Sequence, residues 1–207
     1  METLPAGRHG LLLEFPDGPA AEAFHAELLR RREELDAAEI VPGARTVLLD
    51  GVPDPARLAE RLSRWEVPPR PAADGPLLRI PVHYDGPDLA EVARMWGVPE
   101  SAVGPAHAAV EYRVAFCGFA PGFGYLTGLP PERHVPRRDT PRTRVPAGAV
   151  ALAGPYTGIY PRSSPGGWQL VGRTDLRLWD PERDPAALLA PGTRVRFVPV
   201  GPEGEER

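Results

Sequence analysis

The sequence contains no lysine and no asparagine, and all 24 of its basic residues are arginine. A chain without lysine cannot supply a Walker A lysine, a Schiff-base lysine or a biotinylated lysine. Any nucleotide must therefore be held by arginine side chains, by backbone amides or by another subunit.

Cysteine is also scarce. The single cysteine, Cys117, excludes an internal disulfide and is typical of a reducing cytosol. No apolar run approaches the roughly 20 residues that span a bilayer, and the first residues lack the basic and apolar regions of a secretory signal. The net charge of −4 is unlike the basic balance of a nucleic-acid-binding protein. We therefore expect a soluble, cytoplasmic protein that binds neither nucleic acid nor membranes.

Glycine and proline, by contrast, are abundant, with 22 and 28 of the 207 residues. Together with 42% hydrophobic residues, this composition favours a packed, loop-rich β structure over disorder.

The apolar pattern over the first third of the chain predicts the element order βαββαβ. Strands are expected at residues 11–15, 38–41, 46–49 and 77–84, and helices at residues 18–35 and after Asp54. This order is the signature of a ferredoxin-like sandwich, so we predict a ferredoxin-like α/β domain over residues 1–76. Proline-rich residues 68–76 mark the domain boundary.

Residues 77–207 are predicted to form a closed antiparallel β-barrel, which makes the chain a two-domain α+β protein. A helix begins at Asp88 and a second short helix ends near His107. From Val110 onward, short apolar runs alternate with glycine and proline turns, as in a barrel. Acidic residues 203–206 are expected to form a frayed tail.

Residues 118–125 leave a strand and place three aromatic side chains, Phe119, Phe123 and Tyr125, between glycines. Glycine permits positive φ and close backbone approach, so these rings are suited to line an apolar binding platform. The alternative is a structural corner whose rings fill the barrel interior.

An arginine cluster follows, at positions 133, 137, 138, 142 and 144, with only Glu132 and Asp139 as nearby acids. Forked guanidinium groups of this kind clamp carboxylates or phosphates. The alternative is a solvated surface loop.

Residues 153–174 contain two glycine-rich connections, which predict two loops at one rim of the barrel. They would hold polar and aromatic side chains over a pocket: Thr157, Tyr160, Ser164, Trp168 and Arg173. The alternative is a pair of tight strand connections. Ser164 lacks the Gly-x-Ser-x-Gly elbow of a serine hydrolase, which excludes that interpretation.

Five histidines are scattered without the spacing of metal ligands, so we expect no metal site within this chain. His107 lies five residues before Tyr112 and is a candidate base, although a lone histidine is more often a satisfied structural residue. Cys117 lies in an apolar strand and is predicted to be a buried, inert thiol.

Taken in order, the motifs of the C-terminal region resemble successive signatures of the family that holds KipI and the B-type subunit of 5-oxoprolinase, together with allophanate hydrolase subunit 1. The motifs are His107-x4-Tyr112-Arg113, Gly118-Phe119-x-Pro121-Gly122-Phe123-x-Tyr125-Leu126, Pro141-Arg142-Thr143-Arg144-Val145-Pro146-Ala147-Gly148, Thr157-Gly158-Ile159-Tyr160-Pro161 and Ser164-Pro165-Gly166-Gly167-Trp168-x-Leu170-x-Gly172-Arg173-Thr174. The N-terminal region also fits the family. Tyr156 replaces the glutamine usual before the fourth motif, which puts in doubt any polar contact assigned to position 156.

The resemblance implies a C-terminal cyclophilin-like barrel of the carboxyltransferase type. It implies the B-type subunit of a multi-subunit, ATP-dependent 5-oxoprolinase that cleaves 5-oxo-L-proline to L-glutamate together with C-type and A-type subunits. ATP with Mg would bind at a site shared with or supplied by these partners. Two alternatives stay open within the family: a KipI-type inhibitor that binds a sporulation histidine kinase, and a subunit linked to allophanate or urea metabolism.

Among the residues singled out above, His107 and Arg144 are the candidate catalytic residues. The candidate substrate- or nucleotide-binding residues are Phe119, Pro121, Gly122, Tyr125, Arg142, Thr157, Tyr160, Ser164, Trp168 and Arg173. We further predict that the arginine cluster and the glycine-rich loops converge on one rim of the barrel. There, Arg142, Arg144 and Arg173 would face an anionic ligand or a partner.

Overall fold

A computed structural model of the chain describes residues 1–68 and 75–201. Most of the predicted boundary at residues 68–76, and the whole predicted tail at residues 203–206, lie outside the described residues. The chain divides into two compact units, Met1–Asp74 and Gly75–Arg207.

The first unit contains, among its described residues, four strands and two α-helices. They are β1 (Glu2–Ala6), β2 (Gly10–Glu14), α1 (Gly18–Arg30), β3 (Glu39–Pro42), β4 (Thr46–Asp50) and α2 (Pro55–Leu62). Each helix begins after an aspartate whose side chain accepts a hydrogen bond from the first turn. Asp17 accepts from the Ala20 N–H at 2.8 Å, and Asp54 from the Arg57 N–H at 3.0 Å.

The four strands form one sheet in the order β1-β2-β4-β3, with every neighbouring pair antiparallel. The prediction that the strand after residue 76 completes this sheet is wrong, because Leu77–Val82 pairs within the second unit. Strand β1 occupies the edge instead. It has no fully buried residue, so its sequence carries no apolar alternation that would have predicted it. Leu13, Phe24, Leu28, Leu49 and Leu62 form the centre of this unit's core.

The second unit contains nine strands and two α-helices within residues 75–201. They are β5 (Leu77–Val82), α3 (Leu89–Trp96), α4 (Glu100–Ala108), β6 (Glu111–Cys117), β7 (Gly124–Thr127), β8 (Arg142–Val145), β9 (Ala149–Ala153), β10 (Tyr156–Ile159), β11 (Ser164–Gly166), β12 (Gln169–Arg173) and β13 (Arg194–Pro199). Short 3-10 turns occur at Arg32–Glu34 in the first unit and Pro131–Arg133 in the second.

Seven of these strands form a curled sheet in the order β12-β9-β10-β7-β6-β13-β5. The two edge strands of this sheet, β5 and β12, come together at one end. There His83, which follows β5, and Arg173, the last residue of β12, exchange two backbone hydrogen bonds, each of 2.9 Å. Strands β8 and β11 form a separate antiparallel pair. A mixed α+β fold with a curled sheet is therefore confirmed.

The sheet is not wholly antiparallel, which corrects the prediction. Strand β13 runs parallel to β5, with Phe197 opposite Ile80. Parallel neighbours need a long crossover connection. Here β5 and β13 are the first and last strands of the unit, so nearly the whole unit connects them. Local sequence patterns contain no information about such a pairing.

The interior of the second unit is apolar, and both helices pack against it. Its fully buried residues include Val92, Val103, Tyr112, Leu126 and Leu152. Among the described residues, none of the helices combines the length and the apolar surface that a membrane-spanning helix requires.

Candidate functional site

Aromatic side chains from three separate segments surround one small cavity of the second unit, which we call the aromatic pocket. Its volume is about 120 Å³. It is lined by Phe119, Phe123, Tyr125, Arg137, Tyr160, Pro165, Gly166, Gly167 and Trp168. Four predicted site residues, Phe119, Tyr125, Tyr160 and Trp168, are thus brought together.

The turn between β6 and β7 positions the first two rings. It is closed by hydrogen bonds from the Gly118 N–H to the Phe123 carbonyl at 3.2 Å and from the Phe123 N–H to the Ala120 carbonyl at 2.9 Å. Phe119 has a φ of 66°, which is uncommon for a bulky residue, and its side chain is 60% exposed. The turn therefore buries Phe123 and holds Phe119 at the rim of the pocket.

The pocket walls are rings in edge-to-face contact. Phe123 lies 5.4 Å from Tyr160 and 5.5 Å from Trp168 between ring centres, with interplanar angles of 81° and 88°. A Cβ added at Gly158 would lie 2.8 Å from Phe123 and 2.9 Å from Trp168, so only glycine at that position lets these rings meet. Burial is the main cause that raises the pKa of the Tyr160 hydroxyl, which stays protonated near neutral pH.

Most arginines of the cluster make hydrogen bonds to other residues of the chain and do not line the pocket. Arg138 and Arg142 both donate to the carboxylate of Asp88, at distances from 2.7 to 2.9 Å. Asp88 is buried and also accepts the Leu170 N–H at 2.7 Å. The acidic residues close to the cluster in sequence are exposed, and nothing in the neighbouring sequence identified Asp88 as its partner.

The three arginines predicted to converge have different partners in the structure. Arg142 binds Asp88, Arg144 donates to the Ser163 hydroxyl at 3.2 Å, and Arg173 donates to Asp85 at 2.9 Å. Within residues 75–201, the lining of the aromatic pocket includes none of the three. Arg137 is the arginine of the cluster that does line the pocket, and it was not among the site residues predicted from the sequence.

His107 and Thr157 lie in the interior of the unit, away from solvent. Both are completely buried, and the His107 Nε2 is 3.1 Å from the Thr157 hydroxyl. The other ring nitrogen is 2.7 Å from the Tyr84 hydroxyl, and Tyr112 donates to the His107 carbonyl at 3.1 Å. Burial lowers the pKa of His107 to about 3. In this structure a dissolved ligand does not reach the imidazole, whose surroundings are those of a structural histidine.

The remaining predicted residues lie in turns and strands near the pocket. Gly122 has a φ of 83° and packs against Trp179, which accounts for glycine at that position. Pro121 precedes it in the same turn and is exposed. Ser164 lies in β11 opposite Val145, with a buried hydroxyl that has no hydrogen-bond partner among the described residues.

ATP with Mg does not fit the aromatic pocket. Cofactor clefts usually measure about 300 to 1,000 Å³, well above this cavity. Residues 1–68 and 75–201 also hold no group of three His, Cys, Asp or Glu side chains suited to a metal ion. The aromatic pocket is therefore not a nucleotide site.

Comparison with known proteins places this geometry in a family. Residues 1–189 match the model of the carboxyltransferase domain, subdomain C and D. The B-type subunit of the Escherichia coli O157:H7 5-oxoprolinase is 44% identical over 207 residues, which covers 93% of each chain. The corresponding B-type subunit of Haemophilus influenzae is 41% identical over 178 residues, covering 83% of this chain and 84% of that protein.

Solved structures agree with this assignment. A crystal structure of TTHA0988 superposes with a TM-score of 0.78 at 38% identity over 96% of this chain, which spans only 41% of the TTHA0988 chain. PH0987 from Pyrococcus horikoshii, a conserved uncharacterized protein, gives a TM-score of 0.60 at 32% identity. The match covers 98% of this chain and 99% of the PH0987 chain. The urea amidolyase of Kluyveromyces lactis shares the fold, at 20% identity and a TM-score of 0.74. The chain therefore belongs to the family of the carboxyltransferase domain, subdomain C and D.

Proposed function

We propose that this chain is the B-type subunit of a multi-subunit, ATP-dependent 5-oxoprolinase that cleaves 5-oxo-L-proline to L-glutamate. The observation that carries the proposal is the 44% identity to a B-type 5-oxoprolinase subunit over 93% of both chains. Such identity along nearly the whole length includes both units and the segments that build the aromatic pocket.

The subunit is not catalytically autonomous on this proposal. Its described residues offer no nucleophile paired with a base, because His107 is enclosed and Cys117 is a half-buried thiol with a raised pKa. With no lysine in the chain, C-type and A-type subunits are proposed to supply or share the site for ATP with Mg. This chain would bind and orient the substrate in the cytoplasm.

Each unit is proposed to have a fold known from other proteins. The sheet order β1-β2-β4-β3, all antiparallel, supports a ferredoxin-like first unit whose edge strand comes from its N-terminal side. The curled seven-stranded sheet with joined edges supports a cyclophilin-like barrel of the carboxyltransferase type.

Reconstitution tests the proposed function. The full chain is purified alone and together with C-type and A-type subunits, and L-glutamate and ADP are measured after addition of 5-oxo-L-proline, ATP and Mg. We expect turnover only when all three subunits are present. Turnover by the single chain would contradict the non-autonomous role.

Other outcomes of the same assay identify the alternatives. Turnover of allophanate or urea, without turnover of 5-oxo-L-proline, would assign the subunit to that metabolism. Inhibition of a sporulation histidine kinase by the chain, with no turnover in any mixture, would assign a KipI-type inhibitor.

A further inference from the structure

Arg137 differs from the rest of the arginine cluster in its polar contacts. The described residues provide it with neither a hydrogen bond nor an ion pair, and its side chain is exposed. The other four arginines of the cluster donate to the Ala106 carbonyl, Asp88 or the Ser163 hydroxyl. The guanidinium of Arg137 is therefore available for an anion.

This available cation lies at the aromatic pocket. The Arg137 guanidinium carbon is 6.0 Å from the ring centre of Trp168, at the outer limit of a cation–π contact. This distance gives only weak attraction, so the guanidinium can turn toward a ligand. The same side chain lines the pocket together with Tyr160 and Phe119.

The size of the pocket limits the ligand to a small ring. An apolar cavity of about 150 Å³ binds benzene, so the volume of about 120 Å³ found here suits a five-membered ring. The walls cannot widen easily, because Tyr160 and Trp168 are buried and are locked edge-to-face around Phe123. A nucleotide with its base, sugar and phosphates is excluded by size.

We propose that Arg137 binds the carboxylate of a small cyclic acid whose ring lies in the aromatic pocket. For the identity of the acid this inference rests on the proposed function, which makes it 5-oxo-L-proline, a five-membered lactam with one carboxylate. The guanidinium donates two parallel N–H bonds to the two carboxylate oxygens. The methylene groups of the ring contact the walls formed by Tyr160 and Trp168. Arg137 thereby selects the acid over the uncharged lactam.

Calorimetric titration of the full chain tests the carboxylate contact with two probes that differ only in that group. These are 5-oxo-L-proline and 2-pyrrolidinone, the same lactam ring without the acid. We expect Arg137→Gln to weaken binding of 5-oxo-L-proline by about ten- to a hundredfold, because a charge-assisted pair is lost. Binding of 2-pyrrolidinone is expected to be weaker from the start and the same in both proteins.

Arg162→Gln is the matched control, because Arg162 is an exposed arginine that does not line the pocket. It is expected to leave both titrations unchanged. Inorganic phosphate is the third probe and is expected not to compete with 5-oxo-L-proline. Competition by phosphate that depends on Arg137 would overturn the carboxylate assignment in favour of a phosphate site.

The inference is also overturned if Arg137→Gln leaves the affinity for 5-oxo-L-proline unchanged, or weakens the binding of both lactams equally.

If the wild-type chain binds 5-oxo-L-proline too weakly for calorimetry, the KM of the assembled enzyme replaces the titration. Arg137→Gln should then raise KM much more than it lowers kcat. An unchanged KM in an active assembly refutes the role of Arg137 while the proposed function stands. Arg137-dependent binding of the acid without turnover in any assembly refutes the proposed function while the binding site stands.

Discussion

The carboxylate of Asp88 accepts two hydrogen bonds from the guanidinium of Arg142, at 2.9 and 2.8 Å, across 54 residues of sequence. The same carboxylate, 4% exposed, binds Arg138 and the Leu170 N–H. Asp88 thereby connects the segment from Arg138 to Arg142 with the start of α3 and with β12. Arg137 precedes Arg138 in the chain, so this attachment constrains the backbone beside the aromatic pocket.

Asp88→Asn should lower the free energy of unfolding by about 2 to 3 kcal/mol, because two partly buried guanidinium groups lose their counter-charge. Urea denaturation monitored by tryptophan fluorescence measures the loss. Asp85→Asn is the control, since Asp85 and its partner Arg173 are each 51% exposed and such pairs contribute less than about 1 kcal/mol. Equal losses in the two variants would contradict a structural role specific to Asp88.

His107 should make stability fall in mildly acidic solution. Its folded-state pKa of about 3 lies below the ordinary value of 6.5, so the unfolded chain binds a proton that the folded chain does not. The free energy of unfolding should therefore decrease as pH falls from about 6.5 toward 3, with a slope from this residue of at most about 1.4 kcal/mol per pH unit.

The variant His107→Gln should remove this contribution and flatten the pH dependence, as followed by urea unfolding at several pH values. His134→Gln, at an exposed position, serves as the control. Because the imidazole is enclosed, folded His107→Gln should also retain turnover in the assembled enzyme. Loss of turnover in a folded, assembled protein would instead support the catalytic role predicted from sequence.

Cys117 should be a structural thiol of low reactivity. Its Sγ donates to the Leu189 carbonyl at 3.2 Å, and burial raises its pKa to about 11. Because the thiolate is the reactive form, alkylation by iodoacetamide at pH 8 should be much slower for the folded chain than for the urea-unfolded chain. Cys117→Ala should cost on the order of 1 kcal/mol of stability and leave turnover of the assembly intact. Loss of turnover in a folded Cys117→Ala assembly would show a chemical role.

The glycine at position 166 should be needed for the shape of the aromatic pocket. A Cβ there would overlap the hydroxyl of Tyr160, so Gly166→Ala must displace the ring and should cost about 1 to 3 kcal/mol. Gly118→Ala is the control, because its Cβ would lie 3.7 Å from Tyr125, an ordinary contact. Thermal unfolding and near-ultraviolet circular dichroism compare the two variants. An unchanged aromatic spectrum in Gly166→Ala would show that the pocket tolerates a side chain at this position.

Features that depend on residues close together in the chain were predictable from the amino-acid sequence. Asp17 and Asp54 start helices because their carboxylates reach the first turn. The glycines around Phe119 and Phe123 predicted a turn that presents aromatic rings. The ordered motifs resembled the family of the B-type 5-oxoprolinase subunits, and 44% identity over nearly the whole chain agrees with that resemblance.

Features that depend on contacts between distant segments became visible in the folded chain. It assigned Leu77–Val82 to the second sheet by parallel pairing with β13, and placed β1 at the edge of the first. It enclosed His107 among buried partners and bound four arginines of the cluster within the chain, which left Arg137 available at the pocket. An arginine is chemically the same whether it faces Asp88 or a ligand. Which of these it meets depends on residues dozens of positions away, and packing of the complete fold brings them together.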